Sequence, residues 1–415
     1  MKPSHLWPSF VPLQSHADDA VNLTAAKGHR LTFADGRELL CATSGLWNVN
    51  YGYGNEAIAD AIASAARDAS YLSVFRYENT YAHDAADRLV EATDRRYDRV
   101  VFSTSGGAAN DVATKLVRQS QALRGQPRDL IVALTGSYHG LTFGAFALTG
   151  EDLAQRLYGV DTRRVRHVPV NDIEALSELL ATEGHRVAAV IVEPILGSGA
   201  VVLDERYIEE LLHQRSRHGY LLIADEVASG YWRTGPFLAS NFWPQSPDIV
   251  IVSKGLTNGT QPAAAILVAP HVTADFFTNE AVLVHGETQA GTATTAAAII
   301  ATLDESVRLN VTARAADIAT MLDRKLAALD TAWVGDTRGV GAFRALDILG
   351  SDGNPIQAGE VAKVVASIRE TGAVVHPGVA GIQLIPSLLY SEAEVDELFS
   401  CVVAGVEAAS STFAR

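Results

Sequence analysis

Between residues 98 and 253 one pattern recurs: a short, apolar, β-branched run ends on a polar or glycine-rich segment, and helical stretches separate the runs. DRVVFS (98–103) leads through a Gly-rich turn into the helical stretch AANDVATKLVRQSQAL (108–123). LIVALT (130–135) is followed by GSYHGLTFGA, and VAAVIVEP (187–194) by a loop and the helical stretch ERYIEELLHQRSRHG (205–219). YLLIADE (220–226) and DIVIVS (248–253) complete the set. Continuous apolar strands alternating with helices require a mainly parallel sheet covered on both faces, an α/β fold. Ligands on such sheets sit beyond the carboxyl ends of the strands, and there stand Ser105, Tyr138, Glu193, Asp225 and Lys254. PAAAILVAP (262–270) follows Lys254 too closely for a parallel crossover, so it is expected to run antiparallel to its predecessor. Lys254 then lies near the strand end or in the hairpin.

The rest of the chain reads as a frame around this sheet. The start, with Pro3, Pro8 and Pro12, is loop-like, and residues 28–40 form a hairpin around Asp35-Gly36. Helices are expected over 55–69 and 80–92, and one long helix from Ala293 to Leu329. Short strands in RGVGAFRALDI, GAVVHP and GIQLIP precede a terminal amphipathic helix. A length of 415 residues favours two domains. The division expected is a large domain over 47–304 and a smaller α+β domain built from both termini, 1–46 and 305–415.

Composition narrows the function classes. The chain is 48% hydrophobic and 20% charged, as globular proteins are. A net charge of -15 without a basic run argues against nucleic acid and against an anionic membrane surface. Cys41 and Cys401 show neither metal spacing nor a disulfide framework, which favours a reducing compartment. The first residues lack the apolar core of a signal peptide, and no uncharged run reaches the roughly 18 residues of a membrane span. The expectation is a soluble, cytoplasmic protein.

Two strand ends carry the chemistry. Asp225 closes an apolar run, and Lys254 follows another. Burial of a lysine amine lowers its pKa and favours the nucleophilic form, which can form a Schiff base with an aldehyde. An aspartate on a neighbouring strand can hold a pyridinium nitrogen charged, and pyridoxal phosphate chemistry needs both groups. Side chains alternate along a strand, so Val227 shares a face with Asp225 while Glu226 points away. Taken singly, Lys254 reads better as a lysine reaching out to water, and a strand-end acid such as Asp225 is commonly a partner for a surface arginine; the other pieces in order shift both readings. In TSGGAAND (104–111), Gly106 and Gly107 let backbone N–H groups approach an anion at a helix start; a tight turn without a ligand reads equally well. In SYHG (137–140), Tyr138 can lie on a flat heterocycle with His139 beside it, although packing is the commoner use of such an aromatic.

The order of these motifs resembles the class III (omega) aminotransferases, fold-type I pyridoxal phosphate enzymes. The likeness starts with HLWPSF and DGRELLCATSGLWNVNYGYGN and continues through TSGGAAND, YHGLTFGA, EPILGSG, ADEVASGYWRTG, SKGLTNG and HGETQAGT. It ends with GDTRGVGAFRALDI, so it spans nearly the whole chain. The resemblance implies Lys254 as the Schiff-base lysine, Asp225 as the partner of the pyridine nitrogen, and Val227 and Tyr138 on the two ring faces. Ser105, Gly106 and Gly107 match the phosphate turn, with His139 and Glu193 nearby. Thr288 matches a threonine that reaches the phosphate of a neighbouring subunit, which implies a homodimer with shared sites. Trp47 and Tyr53 match the segment lining the substrate pocket. Three departures stand out. The usual SGSEAN is SGGAAN here, so Gly107 loses a hydroxyl and Ala108 an acid. Trp232 replaces a glycine. Gln383 stands where many relatives carry the arginine that clamps an α-carboxylate, and no Arg or Lys occurs from Thr371 to Tyr390. Arg76 remains a candidate for that role. The expected function is an aminotransferase exchanging an amino group between a small-molecule amine donor and a carbonyl acceptor. One substrate is expected to lack an α-carboxylate, as in the tailoring of natural products or peptides. An aminomutase or decarboxylase on the same cofactor, or a non-catalytic relative, stays open at this point.

Overall fold

Seven strands form the central sheet of the computed structural model, which describes residues 5–12, 18–329 and 331–413. They are β1 (Arg99–Ser103), β2 (Leu130–Leu134), β3 (Val165–Val168), β4 (Val187–Val192), β5 (Leu221–Asp225), β6 (Ile249–Val252) and β7 (Ala264–Val268). Their order is β1-β7-β6-β5-β4-β2-β3. The pairings from β6 through β5, β4 and β2 to β3 are parallel. β7 is antiparallel to both neighbours, β6 and β1, as the short link after Lys254 requires. Strands β2, β4, β5, β6 and β7 are buried along their whole length, which is why they read as unbroken apolar runs.

Apolar side chains fill both faces of the sheet. On one, Ala109, Val112, Leu116 and Val117 of the helix Gly106–Leu123 pack on Ile131, Ile191, Ile223 and Ile251. On the other, Leu89, Ala296, Ile299 and Leu303 meet Ala224, Val250, Val252 and Leu267. A separate cluster joins Leu40, Ala42 and Tyr51 to residues from Val311 to Ala409. Leu40 and Cys41 pair in parallel with Ala373 and Val374. Both ends of the chain thus share one core. Arg233, 1% exposed, ties this region to the sheet. Its guanidinium donates to the Asn50 Oδ1 at 2.6 Å, the Ser44 Oγ at 3.2 Å and the Pro386 carbonyl.

The structure departs from the sequence reading in several places, among them the helices Pro270–Thr278 and Ala358–Thr371, which were not expected. The expected long helix is two, Ala293–Arg308 and Val311–Ala327, because Asn310 turns left-handed at φ 51° between them. β3 and the helix Ile173–Glu183 were not anticipated. The N-terminal hairpin gains a third antiparallel strand, Leu23–Lys27, beside Arg30–Phe33. Pro3 lies outside the described residues. Cys41 and Cys401 are both free and buried. No helix among the described residues is long and apolar enough to cross a membrane.

Candidate active site

The carboxyl ends of β1, β4, β5 and β6 open on one cavity of about 660 Å³, of the size that small cofactors and substrates occupy. Lys254 stands two residues beyond β6, at the start of a tight turn, Lys254–Thr257. Its φ of 46° bends the chain into the hairpin to β7. Gly255 must follow, because a Cβ there would come within 2.8 Å of the Asn50 Nδ2 and 2.9 Å of the Tyr231 Cβ. The turn is pinned further by the Ser253 hydroxyl, which donates to the Ala263 carbonyl at 2.5 Å. The Lys254 Nζ lies 4.3 Å from the centroid of the Trp47 ring, a cation–π distance. Burial lowers its pKa to about 8; Asp225 and Glu193 oppose the shift, and Arg233 adds to it. A larger share of this amine is therefore neutral and nucleophilic near pH 7 than of an ordinary lysine.

Asp225, the last residue of β5, is 3% exposed. Its Oδ2 lies 2.8 Å from the Asn110 Nδ2 and 2.8 Å from the His139 Nδ1. Its Oδ1 accepts the Val227 N–H at 3.1 Å. A carboxylate has about four acceptor directions, so one remains open. His139 itself is fully enclosed. Burial acts against its charged form, but the hydrogen bond and charge of Asp225, with Glu193, leave its pKa raised. Glu226 lies outside this cluster, as strand alternation requires, and accepts from Ala239, Ser240 and Ser229.

Glu193, just past β4, is 4% exposed. Its two oxygens accept the Tyr138 N–H at 2.9 Å and the Gly197 N–H at 3.0 Å. Burial pushes its carboxyl up to about 7; Asp225 adds to the shift and His139 opposes it. On the β1 side, Ser105 caps the helix Gly106–Leu123 by accepting the Ala108 N–H at 3.2 Å. Gly106 and Gly107 are its first two residues, and both line the cavity. A Cβ on Gly106 would come within 3.1 Å of both Val227 methyls, so the turn packs directly on the Val227 side chain.

These residues fit pyridoxal phosphate. A buried carboxylate with an open acceptor direction suits a protonated ring nitrogen, and an amine of lowered pKa suits an aldehyde. The amino end of an 18-residue helix, opened by two glycines, suits a phosphate dianion. Tyr138 and Val227 line the space between these ends. The buried Asn110 Oδ1 and His139 Nε2 have no partner within the protein, which marks the wall as polar and incompletely satisfied.

The structure brings Trp47, Ser105, Gly106, Gly107, Tyr138, His139, Glu193, Asp225, Val227 and Lys254 to this cavity. It does not bring the other expected residues there within one chain. Tyr53 is turned to the Cys41 Sγ at 3.3 Å. Trp232 packs on Tyr231 and Phe237 at 6.0 and 5.0 Å, and its φ of 61° is one that glycine adopts most readily. Arg76 is exposed and lines a separate groove with Phe75 and Tyr77. Thr288 lies outside the cavity, its carbonyl accepting the Tyr71 hydroxyl at 3.0 Å. Gln383 is buried behind the wall and donates to the Gly197 carbonyl at 3.0 Å. Sequence reasoning missed Asn110. Its place one helical turn after Gly106 puts it on the cavity side, a signal that was legible. It also missed His376, which lies 4.9 Å from the Trp47 ring and faces Gln383 across a strand pair. Nothing local marks that position.

The chain is similar to known proteins over most of its length. A family model described as aminotransferase class-III matches residues 13–405. The omega-aminotransferase of Caulobacter vibrioides is 28% identical over 424 residues, covering 95% of this chain and 95% of that one. The diaminobutyrate–2-oxoglutarate transaminase of Halomonas elongata is 30% identical over 354 residues, covering 78% of this chain and 76% of that one. The solved structure of an amine transaminase from an uncultivated Pseudomonas species, in its PLP-bound form, superposes with a TM-score of 0.91 at 28% identity, covering 98% of this chain and 99% of that one. With a lysine, an acid and a glycine-opened helix start converging on one cavity, this chain belongs to the class III aminotransferases and is a pyridoxal phosphate-dependent aminotransferase.

Proposed function

We propose that Lys254 holds the cofactor aldehyde covalently and that Asp225 is the partner of its ring nitrogen. One observation carries this: the Lys254 amine and the open side of the Asp225 carboxylate line the same cavity as the start of helix Gly106–Leu123. Pyridoxal phosphate, when bound, supplies an aldehyde that takes up the amino group and a ring that accepts electron density as a substrate proton leaves. The chain supplies the rest. With the cofactor bound, the Lys254 amine, its pKa lowered to about 8, would serve as the base that takes the proton from the substrate carbon and as the acid that gives it back. Asn110 and His139 fix the orientation of the Asp225 carboxylate. Tyr138 and Val227 confine the ring, and Ser105, Gly106 and Gly107 hold the phosphate. Glu193 fixes the Tyr138 segment through its backbone N–H.

The substrate reading follows from charge. Among the described residues of one chain, the cavity lining holds no arginine and no lysine besides Lys254. Behind Trp47 the wall is Gln383 and His376, and burial together with the Lys254 charge lowers the His376 pKa to about 4, so it is neutral at pH 7. Nothing there clamps an α-carboxylate. One substrate is accordingly an amine or ketone without an α-carboxylate, free or at the end of a larger biosynthetic intermediate or modified peptide. Relatives named omega-aminotransferase and beta-alanine–pyruvate aminotransferase support this direction. The test is a substrate panel with matched carbon skeletons. Amines and ketones should match or exceed the corresponding α-amino and α-keto acids in kcat/KM; a clear preference for the acids refutes the reading.

The working unit we propose is a homodimer. Tyr71, Leu72, Val74, Phe75, Tyr77, Val282 and Val284 are exposed apolar side chains on the segments that flank Thr288 and Arg76. Such a face is covered in stable proteins, and a second copy there would bring Thr288 or Arg76 toward a neighbouring site. The division into a large unit, 47–304, and a small unit of both termini is supported by the separate apolar cores, with Tyr51 alone of the large unit's described buried apolar residues packing in the core of the termini. A monomeric mass in solution at working concentration would contradict the dimer.

A further inference from the structure

Glu287 occupies the foot of the phosphate turn. Its Oε1 accepts the Ser103 hydroxyl at 2.5 Å and lies 3.2 Å from the His285 Nε2. Its Oε2 accepts the Thr104 N–H at 3.0 Å and the Thr104 hydroxyl as well. Thr104 lines the cavity and immediately precedes Ser105, Gly106 and Gly107. Both donors that Thr104 brings to this edge are therefore spent on an acid. Burial acts to raise the Glu287 pKa, but the hydrogen bonds from Ser103, Thr104 and His285 hold it below the usual carboxylate range, so the group is ionised at neutral pH.

The turn has few donors to spare. Gly107 and Ala108 carry no donor side chain. The Ser105 oxygen already accepts the Ala108 N–H, which leaves its proton and the backbone N–H groups of the two glycines. A fixed negative charge at this edge repels a phosphate dianion, and the side chain is only 17% exposed, so water screens it incompletely.

We propose that Glu287 sets the affinity of this enzyme for its cofactor, by withholding the two Thr104 donors and placing a negative charge beside the phosphate turn. Glu287 is a positioning residue here, acting on the cofactor through Thr104. The cofactor is then held more loosely than the same turn would hold it without the acid, and it exchanges with the surrounding pool. This rests on the assignment of Ser105, Gly106 and Gly107 to the phosphate.

The experiment measures binding of pyridoxal phosphate, and of pyridoxal lacking the phosphate, to the apoprotein of full-length chain. Glu287→Gln keeps one acceptor for the Thr104 N–H and removes the charge; it should tighten pyridoxal phosphate by roughly fivefold, a typical effect of one partly solvated like charge. Pyridoxal binding should not change, and the gain should shrink at high salt. Glu287→Asp keeps the charge and should not tighten binding. Unchanged or weaker binding in Glu287→Gln, an equal change with pyridoxal, or equal tightening in Glu287→Asp each overturns the proposal. Gly107→Asp separates the two levels: if it leaves the preference for pyridoxal phosphate over pyridoxal intact, the turn assignment itself is wrong.

Discussion

Replacing Asp225 by asparagine keeps the shape of the site and removes its buried charge. The magnitude follows from the hydrogen bonds. The Oδ2 meets two nitrogens, Asn110 Nδ2 and His139 Nδ1, both at 2.8 Å, and the Oδ1 accepts the Val227 N–H. An amide has one oxygen. If it faces Asn110 and His139, its NH₂ opposes the Val227 N–H and presents a donor where an acceptor is needed. If it is flipped, the NH₂ opposes Asn110 and His139. Either way a buried donor loses its partner, at a cost of about 1–3 kcal/mol to the apoprotein. The effect on turnover is larger. A carboxylate at hydrogen-bond distance raises the pKa of a basic ring nitrogen by about one to three pH units, so Asp225→Asn should lower kcat/KM by about 10- to 10³-fold. Thermal unfolding and single-turnover kinetics with one amine donor measure the two effects separately. A folded Asp225→Asn protein within about tenfold of the parent kcat/KM would refute the reasoning.

Two further outcomes follow from the same geometry. The Lys254 pKa is lowered to about 8, so its reactive amine form is lost as pH falls below that value. The rate of apoprotein reconstitution with pyridoxal phosphate should rise with pH and level off near pH 8, where an ordinary lysine would continue to about 10. Between about 8 and that ordinary value the folded chain binds fewer protons at Lys254 than the unfolded chain, so the contribution of this group makes the apoprotein more stable as pH rises through the window; a rate profile still climbing at pH 10 would contradict the assignment. Gly106→Ala places a Cβ at 3.1 Å from both Val227 methyls. It should destabilise the protein by about 1–3 kcal/mol through overpacking and weaken cofactor binding, while an unchanged Tm and unchanged affinity would show that the turn does not pack on Val227.

What could be read in advance was whatever local pattern encodes. Fully buried parallel strands leave apolar runs, and a sheet of this kind collects ligands at one edge, so Glu193, Asp225 and Lys254 announced themselves by standing just at or after such runs. β3 escaped notice because it is an edge strand: Arg166 and His167 interrupt its two valines. The break at Asn310 escaped because apolar spacing continues on both sides and only a left-handed residue separates the helices. Trp232 stands in the right loop, yet its backbone conformation turns the indole into the Tyr231–Phe237 cluster. Arg76 and Thr288 lie outside the cavity of their own chain, so a reading of one protomer does not place them in a site. The hold of Glu287 on Thr104 joins segments far apart in sequence and leaves no local signal.

The most direct measurement is to treat the cofactor-loaded enzyme with borohydride and map the modified peptide by mass spectrometry. The account predicts a single pyridoxyl label on Lys254, with no such label and no turnover in a folded Lys254→Ala variant. A label on another lysine, or turnover without Lys254, would contradict it.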